Sequence, residues 1–141
     1  MSTVIVESER LGPLNCDEAA LLSFPRGLLG FEHAREFAVV SADEDGAYSW
    51  LQCMNDPQLS FLAVVPSFFF PDYSPVIPDA DADELGLTSD SHTQLLALVT
   101  ITDDGVTANL LGPIIVNLRT RTARQLVLSE QQYSVKEPLV A

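Results

Sequence analysis

The chain is short of several things at once, and each shortage removes a class of function. Of its 141 residues only 7 are Lys or Arg against 20 Asp or Glu, a formal net charge of −13. A protein that neutralises phosphates needs cations, so direct binding to nucleic acid or to an anionic membrane surface is disfavoured, and the field favours a cationic partner. Acidity also serves plain solubility, so charge alone leaves both uses open. Cys16 and Cys53 are too few for a disulfide framework or a zinc site and too far apart for a C-x-x-C motif, which leaves reduced, partly buried thiols. The two histidines, His33 and His92, are widely separated beside polar turn residues and read as surface groups rather than ligands or bases. No apolar run approaches the roughly 18 residues of a membrane span. The start "MSTVIVESER" lacks the basic segment and long apolar core of a secretory signal, so the expectation is a soluble, cytoplasmic protein.

Catalytic signatures are missing as well. There is no G-x-S-x-G elbow, no phosphate loop and no H-x-E or H-E-x-x-H arrangement. "GLLG" at Gly27 to Gly30 is too short for a dinucleotide fingerprint and reads as a turn. "DADAD" from Asp79 to Asp83 spaces carboxylates like the first half of an EF-hand loop, but the sixth and twelfth positions hold Glu84 and Asp90 where Gly and Glu belong. Pro75 and Pro78 also deny it an entering helix, so it reads as a solvated acidic loop. The expectation is no enzyme, no cofactor and no metal.

What is present is mostly strand. A length of 141 residues with 47% apolar content suits one domain over residues 1–141, with "KEPLVA" at the end frayed. Short β-branched or aromatic runs occur at Thr3 to Ser8, Glu36 to Ala42, Tyr48 to Met54, Leu59 to Pro66, Gln94 to Ile101, Val106 to Leu111, Ile114 to Thr120 and Arg124 to Ser129. Turn chemistry separates them at Gly46, Pro57, Gly105 and Gly112-Pro113. The pattern predicts an all-β, mainly antiparallel, barrel-like fold with at most one or two short helical turns. One such turn is expected at Asp79 to Leu85, behind a proline and before Gly86.

"VPSFFFPDYSP", Val65 to Pro75, holds the densest aromatic cluster. A base-stacking platform works with a positive groove, and the nearest basic residues in sequence are Arg35 and Arg119, so nucleic acid is the wrong partner for these rings. The expectation is two rings in the barrel and one under a proline-held loop, with each buried ring worth about 1.5–3 kcal/mol. Truncating a fully buried ring, Phe69 or a neighbour, is then expected to cost about 3–5 kcal/mol. Asp72 and Tyr73, on a segment held extended by Pro71 and Pro75, suit a rim contact better.

"FPRGLLGFE" (Phe24 to Glu32), "WLQCMNDPQLSFLAVVP" (Trp50 to Pro66), "FFFPDYSPVIPD" (Phe68 to Asp79) and "TANLLGPIIVNLRTRTARQLVL" (Thr107 to Leu128) resemble the flagellar assembly factor FliW family, in its order and at its spacing. The resemblance runs from about Phe24 to Leu128 and on to Tyr133. The family usually has Ala where this chain has Gly112, and Ser-Leu where it has Cys53-Met54. The resemblance implies a non-enzymatic regulator that binds the translational repressor CsrA, the carbon storage regulator, away from its RNA site. It implies relief of the repression of flagellin synthesis, with flagellin as competing partner. The alternative is a flagellin-dedicated, chaperone-like binding protein without a CsrA role.

Polar residues inside these motifs are the candidates for partner contact: Asp72, Tyr73, Asn109 and Asn117, with Asp79, Asp81, Asp83 and Glu84 steering encounter. As strands, the motifs put Thr107, Asn109 and Leu111 on one face, and Asn117 and Arg119 on one face beyond the Gly-Pro break. Strand amides have a second use, bonding turns or solvent.

Overall fold

A computed structural model describes residues 2–87, 92–128 and 131–139. Its strands are β1 (Thr3–Val6), β2 (Leu14–Asp17), β3 (Leu21–Ser23), β4 (Glu36–Ser41), β5 (Tyr48–Cys53), β6 (Ser60–Val64), β7 (Thr93–Thr102), β8 (Gly105–Ala108), β9 (Ile114–Asn117), β10 (Thr122–Gln125) and β11 (Glu137–Pro138). Among the described residues there are also an α-helix, α1 (Asp79–Glu84), and 3-10 turns at Glu18–Ala20 and Pro66–Phe68. None of the described helices is long and apolar enough to cross a membrane.

Seven strands close into a barrel in the order β7-β6-β5-β4-β3-β10-β9, with β9 pairing back onto β7. Every pairing is antiparallel except β10 with β3, a single parallel bridge at Thr122 and Ser23 that the Ser23 N–H reinforces by donating to the Arg121 carbonyl at 2.9 Å. Period-two alternation explains the filling: Phe37, Leu51, Cys53, Ala63, Leu96, Ile114 and Val116 point inward with Phe24. Phe37 is fully buried between Phe24 and Phe61, with ring centroids at 5.3 and 6.1 Å.

Two smaller clusters sit outside the barrel wall. Val64, Ala97, Ala108 and Leu110 gather Tyr48, Phe69, Phe70, Tyr73, Val99, Tyr133 and Leu139. Leu85, Ile115, Leu126 and Leu128 gather Ile77, Leu87, Leu95, Leu111 and Tyr133. β9 is therefore buried on both faces, with Ile114 and Val116 inside and Ile115 beneath the α1 segment. The helix stops at Gly86, whose φ of +67° suits a residue without Cβ, while the Leu87 N–H closes back onto the Ala82 carbonyl.

Several sequence expectations need correcting. The phenylalanine triplet contributes nothing to the barrel interior, because Pro66 opens a 3-10 turn and the chain leaves β6 before the rings arrive. Phe69 and Phe70 pack half-buried in the first outer cluster, and Phe68 is 54% exposed. The cost of a fully buried ring thus applies to none of the three. β8 ends at Ala108 and β9 at Asn117, so Asn109, Leu111 and Arg119 are not strand residues. The final segment is not wholly loose, since Glu137 and Pro138 pair with Ala108 and Thr107. β2, β3 and β11 had no prediction. Asp90, Ser129 and the last two residues fall outside the described residues.

The packing generates a contrast between rings. Phe37→Ala is expected to cost about 3–5 kcal/mol in urea unfolding. Phe68→Ala should change stability by no more than about 0.5 kcal/mol.

Candidate functional site

The eight candidate residues fall into two groups. Around the outer cluster, Asp72 is exposed at the surface, while Tyr73 is turned inward and half-buried. The Tyr73 hydroxyl donates to the Leu110 carbonyl at 2.6 Å, and its ring stands edge-on to Tyr133 at 4.7 Å. Burial, with Tyr133 as a lesser contributor, pushes the Tyr73 phenol well above the ordinary tyrosine range. One residue before Leu110, Asn109 folds its side chain onto its own turn: Oδ1 accepts from the N–H groups of Leu111 (3.1 Å) and Gly112 (2.8 Å). That Asx-type turn ends β8 and redirects the chain into β9.

The second group surrounds α1. Asn117 is only 3% exposed. Its Nδ2 donates to the Leu85 carbonyl at 2.8 Å, and its Oδ1 accepts from the Arg119 and Thr120 N–H groups at 3.0 and 3.4 Å. It therefore ties the end of α1 to the β9–β10 turn. Asp81 pairs with Arg124 at 2.8 Å, both largely covered, and Glu84 is held by Arg124 and, at 2.6 Å, by Arg26. Asp79 and Asp83 remain exposed.

The structure thus divides the eight candidates between two places and gives several of them structural duties. Asn117 cannot meet a partner as the molecule stands, because it is buried and its amide is spent on local carbonyl and N–H groups. Asn109 has its oxygen committed to its turn. Asp81 and Glu84 are partly neutralised by arginines. The freely presented members are Asp72, Asp79 and Asp83. A shallow cleft of about 460 Å³, lined by Phe69, Phe70, Asp72, Tyr73, Tyr133 and Glu137, lies beside Asp72. Nothing local in the sequence indicates that Tyr133 and Glu137, near the C-terminus, line this cleft beside the β6–α1 loop.

Comparison with known proteins agrees with this architecture. A crystal structure of the flagellar assembly factor FliW superposes with a TM-score of 0.88 at 28% identity, covering 98% of each chain. The family model described as FliW protein matches residues 5–139. The chain belongs to the FliW family. Among FliW relatives, the flagellar assembly factor FliW of Moorella thermoacetica is 38% identical over 137 residues, which is 95% of this chain and 87% of the relative. That of Bdellovibrio bacteriovorus is 34% identical over 138 residues, 96% of this chain and 79% of the relative.

Two glycines in the FliW-like motifs behave differently. A Cβ on Gly27, at φ +69°, would lie 2.6 Å from the Glu32 backbone, so glycine is required there. At Gly112 an added Cβ would lie 3.0 Å from Asn109 Nδ2 and 3.3 Å from Gln125 Nε2, side chains rather than backbone, of which the Asn109 amide is held by the turn it caps.

Two outcomes follow from the site. Asn117→Ala is expected to cost about 1–3 kcal/mol by chemical denaturation, since it leaves the Leu85 carbonyl and two N–H groups without their partner. For Tyr73 the native phenol resists ionisation while the unfolded one does not, so the stability it contributes is complete below the ordinary value of 10.0. It is lost as the pH rises above that value toward the raised native one. Tyr73→Phe should remove this part of the alkaline slope in denaturation curves measured from pH 8 to pH 11.

Proposed function

We propose that this chain is a non-catalytic flagellar assembly factor of the cytoplasm that binds the translational regulator CsrA and relieves its repression of flagellin synthesis, with flagellin as competing partner. The observation that carries the reading is family membership across residues 5–139, a span that includes every motif of the resemblance. The charge supports it: a net charge of −13 attracts a basic RNA-binding protein. Such attraction raises the association rate more than the final affinity. Within that field the exposed Asp72, Asp79 and Asp83 are the contact and steering groups, and Asn109 and Asn117 act by holding the turns that present them.

The test is calorimetry of the purified chain with CsrA and, separately, with flagellin from the same cell. The reading expects CsrA to bind, to weaken several-fold as salt rises from about 50 to about 300 mM, and to be displaced by flagellin. Binding to flagellin with none to CsrA would overturn it and leave a flagellin-dedicated binding protein.

A further inference from the structure

At one end of the barrel the period-two alternation turns polar side chains inward. On β7 Gln94 shares the face of Leu96, and on β5 Ser49 shares the face of Leu51 and Cys53, all three of them core residues. Together with Leu22, Val39, Val65 and Val116, Gln94 and Ser49 line a cavity of about 130 Å³. Gly46 and Leu118, both exposed, stand at its rim.

One cation reaches this cavity. Arg121, in the turn between β9 and β10, lines it beside Leu22, and the same two residues also line an outer cleft of about 380 Å³. The Arg121 backbone has a φ of +59°, where glycine is at ease and an L side chain is strained. Its Nη2 donates to the Ala20 carbonyl at 3.0 Å, Nε is buried without a partner, and Nη1 is neither buried nor bonded. Among the described residues the ion pairs belong to Arg26 and Arg124, and none to Arg121. A guanidinium cannot shed its charge on burial as a lysine can, so a partly buried one calls for an anion.

The surroundings say which anion. Glu18 and Glu36 line the outer cleft and turn anions away from that side. The cavity has no carboxylate in its lining, and the Ser49 hydroxyl and Gln94 amide have no other partner among the described residues. Exposed Glu44 and Asp45 directly precede the rim at Gly46, and they oppose a dianion twice as strongly as a monoanion. The remaining walls are apolar, and an apolar cavity of about 150 Å³ takes benzene, a molecule of about six heavy atoms. We infer that the barrel end binds a short-chain monocarboxylate of about that size, its carboxylate accepting from Arg121 and Gln94 and its tail lying against Leu22, Val39, Leu96 and Val116. The inference does not depend on the proposed function.

The test is nitrogen–proton correlation NMR of the arginine Nε–H and glutamine amide signals, with sodium isobutyrate as the probe and ionic strength held constant. Isobutyrate should shift the Arg121 and Gln94 signals together and saturably, with a Kd on the order of 1–10 mM. Isobutyramide, the neutral analogue of the same shape, should shift neither, and inorganic phosphate should leave Gln94 in place. Arg121→Gly suits the backbone at φ +59°, so this variant should fold and bind isobutyrate at least about tenfold more weakly. Gln94→Leu leaves the Arg121 contacts intact and should weaken binding several-fold. The inference is overturned by the absence of a saturable shift, by an equal response to isobutyramide or phosphate, or by binding that survives in Arg121→Gly or is unchanged in Gln94→Leu. An Arg121 signal that moves while Gln94 does not would place the anion in the outer cleft and overturn it as well.

Discussion

Everything in this molecule hangs on the closure of a small barrel by one strand that serves two neighbours. β7 is 10 residues long, the longest strand described, and only its first part is needed to join β9 to β6. A lone pair of strands this short is marginal in water, and closing the sheet removes edges that would otherwise pair with other chains. The remainder of β7 runs past the wall and carries β8 and, through it, β11. Ala97, Val99 and Ala108 then form the floor on which Phe69, Phe70 and Tyr73 rest. The Tyr73 edge is thus a consequence of barrel closure rather than a separate unit.

The polar residues divide along the same line. Asn109 and Asn117 sit where a strand has to end, and both satisfy main-chain groups that the ladder abandons. Arg124 gathers Asp81 and Glu84 and so holds α1 over β10, the strand that contains it. Among the described residues, Asp72, Asp79 and Asp83 stay exposed and take no part in an ion pair. Exposed charges of this kind steer encounters from a distance at little cost to the fold.

The strands with clean alternation were legible in the sequence. β4, β5, β6 and β7 lie within a residue or two of their expected bounds, and α1 begins at the residue that Pro78 and the acidic turn indicate. β3 and β11 were not legible, because strands of three and two residues owe their existence to a neighbour rather than to a pattern. β2, Leu14–Asp17, escaped for a related reason: its sequence LNCD has no strand propensity to speak of and depends on pairing with β1. The asparagines show the same limit at the level of the site. An Asn in a strand-like run looks like a surface amide until one knows which N–H groups are left over beside it. The phenylalanine triplet misled because its spacing was read on strand geometry, whereas Pro66 had already turned the chain.

The dependence of the Tyr73 layer on barrel closure can be tested with Leu96→Ala. This substitution removes a buried side chain at the β7–β9 seam, opposite Ile114. Urea unfolding of the variant would be followed by the fluorescence of Trp50, the only tryptophan, on β5, and by fluorine NMR of 3-fluorotyrosine assigned to Tyr73. Both transitions should move to lower urea together, by the same amount. A Tyr73 transition that stays in place while that of Trp50 moves would contradict the account, since the outer layer would then stand without the barrel.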